Sequence, residues 1–545
     1  MKRSTRFSTA IAATALAAVL LTACAPGTAN VSSNTDPVGE PVDGGEIIYV
    51  ESGVLPSAAP QARTTFQEAN IRNSLVDQLV YIDPETKAIR PWLAESWTVN
   101  DDATEFTFVL REGVTHSDGT PVDAENVKRN LDTFGLGDLD KGLPKSRYLA
   151  GYVGTDVVDD RTVTLKVDTS NALVLEALAI PDNGIVANAY LDLSAEEQAD
   201  FANVIASGPF TVDSYKADEE LVLVKRPDYA WSFEGSTNQG AAHLDKVTVR
   251  FQLESAARAG LVTSGQADLV RGIAPSDEAT ITAGGGVVHA AQLGIGAGTQ
   301  ILPRPGHPLL TDVRVRKALQ IGYDQEQIVS TVLSDSYIPA SSSLNHISFG
   351  YKDQSAALAY NPEEAAKLLD EAGWAVGDDG IREKDGKKLS LVVSGSNQGP
   401  AIKRVFELVA QQLKEIGVEL DISKVGDQAF WVTSQTDPDV ALFSVRMPTP
   451  DSIYSLGSWS RDYLLLAGSD AELESLLSTA LSTLDDTRRA ELLGDVQDYL
   501  TEQGYSLPLY DEVQVFATSA RVQNASFTPT AHPNLQEFWV DDSDN

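Results

Sequence analysis

The stretch LSLVVSGSNQGPAIKRVFELVAQQLKEIGVELDI, residues 389–422, decides the fold class. Leu389–Ser394 is a short apolar run of strand length, and Gly395–Pro400 has loop composition. From Ala401 to Ile416 the spacing turns helical and places Ile402, Val405, Phe406, Val409, Leu413 and Ile416 on one face. Gly417 supplies the stop, and Val418–Ile422 reads as the next strand. Strand, helix, strand at this length is a βαβ unit, which demands parallel pairing and a right-handed crossover. In such sheets ligands collect beyond the carboxyl ends of the strands, where Ser394, Ser396, Asn397 and Gln398 fall.

Working outward, Thr120-Pro121-Val122-Asp123 predicts a helix start with Thr120 as N-cap and a first-turn proline. Asn361-Pro362-Glu363-Glu364 repeats that logic ahead of Ala365, Leu368, Leu369 and Ala372. Glu46–Val50 reads as the first strand. Between 97 and 170 short alternating strands, Thr104–Leu110 and Arg161–Val167, surround one helix, which predicts a separate α+β subdomain in an α/β body.

The chain has 545 residues, long enough for two to four domains. Its 78 Asp plus Glu against 41 Lys plus Arg give a net charge of −37. A surface so negative repels phosphate backbones, so no nucleic-acid partner is expected. One cysteine, Cys24, excludes an internal disulfide framework. It follows a basic segment with Lys2, Arg3 and Arg6, an apolar run from Ile11 to Leu21, and Leu21-Thr22-Ala23. That arrangement resembles the lipobox of bacterial lipoproteins, with cleavage before the cysteine and a diacylglyceryl group on its thiol. Residues 1–23 are therefore expected to be a signal peptide and Cys24 a lipid anchor on the extracytoplasmic face of the membrane. Residues 24–43, small and polar, would be a flexible tether. Loss of the three leader cations would deepen the charge to −40.

Catalytic signatures are thin. There is no G-x-S-x-G and no H-E-x-x-H. Gly380-IREKD-Gly386-Lys387 spaces its glycines one residue too widely for a phosphate loop and reads as a hairpin turn. Gly294–Gly298 lacks dinucleotide spacing and reads as a loop or hinge. The six histidines show no i, i+4 pair, and His116 lies in a turn, so no metal and no cofactor is expected.

Nine blocks resemble, in order, the extracellular solute-binding proteins of peptide- and nickel-type ABC importers (family 5). IRPWLAESWTVNDDATEFTFVLREGVTHSDGTPVDAENV (89–127) carries most of the likeness. VVDDRTVTLKV (157–167), ASGPFTVDSYK (206–216), KRPDYAW (225–231), HLDKVTVRF (243–251) and SGQADLV (264–270) follow. TDVRVRKALQIGYDQEQIV (311–329), YNPEEAAKLLDEAGW (360–374) and SLPLYDE (506–512) complete it. The resemblance implies a two-lobed periplasmic-binding-protein-like fold, class II and large cluster C type, with an extra α+β subdomain in the first lobe. Residues 44–302 would be lobe I, with the insert at about 75–204. Residues 303–506 would be lobe II, and 507–540 a C-terminal return to lobe I. Trp92, Trp97, Gly119, Pro121, Pro209 and Arg316 within these blocks are expected to serve the fold.

The resemblance further implies a monomeric binding protein and not an enzyme. It would capture a peptide or peptide-like solute between the lobes and pass it to ABC permease and ATPase subunits. In peptide-binding members an aspartate in a D-Y-x-D/E-P loop pairs with the peptide amino group. Here the matching stretch, LFSVRMPTPDSIYSLGSW (442–459), puts Arg446 at that position, with Asp451 just past Pro450. A cation there suits a carboxylate or polar oxygen, which keeps a non-peptide anionic or sugar-like ligand open. An Arg446 salt-bridged to one of the many surface acids, or a shifted register that leaves Asp451 as the true acid, stays open too. The other candidate contacts are Glu51, Ser52 and Gly53 after the first strand, Arg304 in ILPRPG, Ser396 and Asn397, and the aromatics Phe430, Trp431, Tyr454 and Trp459. A secreted envelope hydrolase and a sensory or adhesive lipoprotein are the alternatives from other classes.

Overall fold

The computed structural model describes residues 39–60, 66–146, 148–292, 296–304, 306–396, 401–447 and 470–542. Two sheets organise them. A seven-stranded sheet runs, edge to edge, through Val287–Gln292, Val513–Thr518, Leu269–Arg271, Glu46–Glu51, Lys246–Phe251, Glu220–Lys225 and Phe210–Lys216. A five-stranded sheet runs through Glu419–Asp421, Ser390–Gly395, Val440–Met447, Ala297–Pro303 and Leu507–Tyr510. Each carries its own apolar core and founds one lobe.

The 389–422 unit forms as its periodicity requires. Ser390–Gly395 pairs in parallel with Glu419–Asp421, and Ile402–Glu415 is the crossover helix. Val405, Phe406, Val409 and Leu413 are buried beneath it. Gly417 ends the helix at φ +84°, with its N–H on Lys414 O (3.0 Å) and the Val418 N–H on Leu413 O (3.0 Å), a Schellman closure. The 380–387 segment is a hairpin whose turn residues, Asp385 and Gly386, both have positive φ.

The inserted subdomain is a four-stranded antiparallel sheet, Ala94–Val99, Glu105–Leu110, Thr162–Val167 and Tyr152–Asp159, covered by helix Ala124–Leu136. One local expectation fails here. Thr120 is not the N-cap; Asp123 is, accepting from the Asn126 N–H at 2.9 Å. The chain from Val114 to Val122 doubles back as a small hairpin, with Val122 N–H on Val114 O and a Thr115–Pro121 bridge. That pairing holds Thr120–Val122 extended and delays the helix to Ala124. His116 is buried, with Nε2 3.0 Å from Asn126 Oδ1, and serves this corner. Trp92 donates its indole N–H to Trp231 O, and Arg316 spends its guanidinium on Gln503 O and Leu310 O, so both are fold residues.

Strand membership moves the junctions between the sheets. The expected partition put 297–302 with the first lobe and 507–510 with the returning segment. Both stretches are strands of the five-stranded sheet, so the chain crosses between Gln292 and Ala297 and again at Asp511–Glu512. Of the glycine-rich 294–298 segment, Ala297 and Gly298 open a strand, while Gly294 and Ile295 lie outside the described residues. Among the described residues no helix is long and apolar enough to cross a membrane. The leader, Cys24 and most of the tether lie outside the described residues.

Candidate functional site

Strand direction brings the carboxyl ends of both sheets to the two crossings. In the first lobe, Glu46–Glu51 is parallel to Lys246–Phe251 and Leu269–Arg271, and all three end at the edge where Gln292 leaves and Val513 enters. In the second lobe, Ser390–Gly395 and Val440–Met447 are parallel. They end where Ala297 begins. The edge at which ligands gather in open α/β sheets is thus shared by both lobes.

On the first-lobe side Glu51 is completely buried. Its Oε1 accepts from the Tyr49 hydroxyl and from Asn70 Nδ2 at 2.7 Å; its Oε2 accepts from the Ser52 N–H (2.9 Å) and Arg271 Nη1 (3.2 Å). Arg271 also donates to Ser52 Oγ (2.9 Å) and to Gln514 Oε1 (2.7 Å). Behind them His532 Nδ1 lies 2.7 Å from Asn70 Oδ1. Since the Asn70 amide nitrogen donates to Glu51, its oxygen accepts, which assigns the proton to His532 Nδ1. Burial, reinforced by Arg271 and Arg72, lowers the His532 pKa to about 3, so the ring is neutral at pH 7. Burial and the neighbouring Glu51 charge push the Tyr49 phenol well up. Glu51 is therefore the enclosed anchor of a network that orients Arg271, while Ser52 and Gly53 are half-buried at the edge.

On the second-lobe side Arg446 is 30 % exposed and pairs at 3.0 Å with Glu512, which is 6 % exposed. Glu512 also accepts from Thr299 Oγ1 (3.0 Å), and its N–H reaches Asn345 Oδ1 (3.2 Å). Asp511 holds His346, with Nδ1 at 2.5 Å and N–H at 2.9 Å, and burial raises the Asp511 pKa. Both crossing residues are thus tied to the second lobe, whereas Gln514 is tied to Arg271 of the first. Phe66 sits below both cations, 5.6 Å from Arg271 Cζ and 5.9 Å from Arg446 Cζ, within cation–π reach of each.

The other sequence candidates scatter. Ser396 follows the end of its strand, half-buried, at the shared edge. Arg304 does not reach it. It follows the far end of Ala297–Pro303, and its guanidinium bonds Val440 O (2.8 Å) and Ser434 O (3.1 Å) over the Phe443 ring. Phe430 and Trp431, on helix Gln428–Ser434, pack on a second-lobe core; Trp431 meets Phe443 edge-on at 6.1 Å. Asn397, Asp451, Tyr454 and Trp459 lie outside the described residues. Arg271, Gln514, Glu512, Phe66 and Asn70 were missed. A weak signal existed, because SGQADLV stops one residue before Arg271 and SLPLYDE ends on Glu512.

Comparison with known proteins agrees with this architecture. The sequence profile of the bacterial extracellular solute-binding proteins, family 5 Middle, matches residues 88–463. The glutathione-binding protein GsiB of Salmonella paratyphi A is 25% identical over 497 residues, 88% of each chain, and that of Escherichia coli K12 is 24% identical over the same span. The fold matches the ABC transporter substrate-binding protein CtaP of Listeria monocytogenes with a TM-score of 0.78, at 21% identity over 91% of this chain and 99% of that one. It also matches the oligopeptide-binding protein AppA of Bacillus subtilis, in complex with a nonapeptide, at 0.72, with 22% identity over 92% and 100%. NikA of Brucella suis, in complex with Fe(III)-EDTA, matches at 0.76, with 22% identity over 91% and 100%. The chain belongs to the bacterial extracellular solute-binding proteins of family 5, two-lobed binding proteins that serve as the solute-capturing components of ABC importers.

Proposed function

We propose that this chain captures a peptide or peptide-like solute at the shared edge and presents it to a membrane permease. The observation that carries the reading is that Arg446, paired with Glu512, and Arg271, paired with Glu51, both lie within cation–π reach of Phe66 at the strand ends of both lobes. A solute touching both sides stabilises the arrangement in which the lobes are together, and no bond is made or broken. In the proline register drawn above, Arg446 stands where peptide-binding relatives carry an acid; Glu512 takes one side of its guanidinium, as the salt-bridged alternative foresaw, and the rest stays partly exposed. It therefore suits a carboxylate of the solute, with Ser52 and Ser396 as neutral partners. An anionic non-peptide ligand is the second reading, favoured by the same residue. The likeness to proteins named for glutathione, itself a small peptide rich in carboxylates, supports the first.

The lobes follow strand membership in this reading: 44–292 with 513–540, and 297–510, with 75–204 inserted in the first. Residues 1–23 would be removed, Cys24 lipidated, and 24–43 left as the tether on the outer face of the membrane, the receptor acting as a monomer. Calorimetric titration with dipeptides, tripeptides, glutathione and small dicarboxylates tests the proposal. Binding of a peptide that Arg446→Ala weakens supports it; no binding by any of these probes counts against it.

A further inference from the structure

We propose that the ion pair between Glu176 and Arg489 is a latch between the lobes. It holds the inserted subdomain against the second lobe without cargo, and so favours capture, a consequence that rests on the cargo reading above. Glu176 lies on the short helix Val174–Ala177 of the subdomain, and Arg489 on helix Asp486–Glu502 of the second lobe. They meet at 3.0 Å, with side chains 15 % and 8 % exposed. The contact continues beside them: the Ala172 N–H donates to Leu481 O at 2.8 Å, and Leu173 packs on a second-lobe core. The chain passes between the lobes elsewhere, at 292–297 and 511–512, so nothing covalent holds these two surfaces together. Neither member of the pair bonds Glu51, Arg271, Arg446 or Glu512.

The surroundings let this pair break and re-form. Arg489 keeps three contacts inside its own lobe. Its Nη2 serves Asp486 (2.8 Å) as well as Glu176, its Nη1 reaches Thr483 O at 3.3 Å, and its cation lies 5.1 Å from the Phe349 ring. Parting the lobes therefore removes Glu176 but leaves the cation balanced by Asp486, which avoids the cost of stranding an enclosed charge. On the other side, burial works against the Glu176 charge, and Arg489 is the cation that offsets it. Glu176, Asp486 and Arg489 all line a space of about 360 Å³, so water can replace either partner as they separate. Lys87 lines that space too, but its ammonium is held by Pro84 O in its own turn. Both arrangements leave every charge matched or hydrated, which is what a reversible latch requires. The fraction of chains it keeps closed is the fraction ready for a solute that touches both lobes, and the apparent affinity scales with that fraction.

Two adjacent amides read the latch. The Asn171 N–H donates to Ala103 O (3.1 Å) inside the subdomain, whereas the Ala172 N–H donates across to Leu481 O. Residue-resolved hydrogen exchange is measured on the full chain without added solute. Glu176→Ala should speed exchange at Ala172 by about fivefold and leave Asn171 unchanged. Glu176→Lys combined with Asp486→Asn sets two cations face to face with no acid between them, and should speed it further. Asp486→Asn alone removes only the own-lobe partner of Arg489 and should speed neither amide. Glutathione should bind Glu176→Ala about fivefold more weakly than the parent. The exchange arm needs no cargo, so a parent that fails to bind glutathione counts against the cargo reading and leaves the latch to be decided by exchange. The latch is overturned if Ala172 exchanges at the parental rate in both Glu176 variants. It is equally overturned if Asn171 quickens with Ala172, which marks local unfolding of the subdomain, or if Asp486→Asn acts like Glu176→Ala. Where the parent binds glutathione, an unchanged affinity in Glu176→Ala overturns the link to capture.

Discussion

Arg446 Nη1 stands 3.0 Å from Glu512 Oε1, joining the end of a second-lobe strand to the segment by which the chain crosses back to the first lobe. Glu512 is buried while Arg446 keeps solvent contact. The pair lies between an exposed salt bridge, worth about 0–1 kcal/mol, and a buried one, whose breaking costs about 3–5 kcal/mol. Arg446→Ala should therefore destabilise the chain by about 2 kcal/mol. Urea unfolding of Arg446→Ala, Glu512→Gln and the double variant checks it. Strong non-additivity is expected, and additive losses would mean that the pair is not coupled.

His532 makes stability fall in acid. Its folded pKa, about 3, lies below the unfolded value near 6.5, so the unfolded chain binds the proton first. Stability from this group is whole above about pH 6.5 and is lost as pH falls toward 3. Asp77 acts in the opposite sense: burial raises it to about 6, so its contribution is lost as pH rises from about 4 to 6. The stability difference between the parent and His532→Gln, followed from pH 7.5 to 5, isolates the histidine. The parent should lose about 2 kcal/mol relative to the variant, and a pH-independent difference would refute the assignment.

Two glycines at the same φ of +84° separate backbone strain from crowding. A Cβ at Gly417 would come within 2.7 Å of Arg382 Cγ, whereas one at Gly426 would meet nothing within 4 Å. Gly426→Ala should cost about 1 kcal/mol, and Gly417→Ala should cost more, about 2–3 kcal/mol. Chemical denaturation of both variants gives the comparison, and equal losses would remove the crowding argument.

Cys24→Ser should release the protein from membranes of cells that process lipoproteins, with the folded body unchanged. Fractionation into membrane and soluble pools reads this directly. Retention of Cys24→Ser in the membrane pool would rule out the anchor.

The legible parts of this protein were local. The 389–422 unit was readable because helix periodicity and a glycine stop are written within 34 residues, and each burial there follows from spacing. The site was legible only as far as strand ends: Glu51, Ser52, Ser396 and Arg446 come to the shared edge because parallel strands deliver their carboxyl ends to one side. Arg304 was misplaced for the same reason. It follows the other end of an antiparallel strand, a fact set by pairing with Val440–Met447 and invisible in ILPRPG. Arg271 and Glu512 were missed because each is defined by a partner far away in sequence, 220 residues for Arg271 and 66 for Glu512.

Small-angle X-ray scattering of the purified chain, with and without the tightest-binding peptide, tests the central claim most directly. A fall in radius of gyration at saturating peptide, absent in Arg446→Ala at the same concentration, is the predicted result. A radius unchanged by a peptide that calorimetry shows to be bound would contradict capture between the lobes.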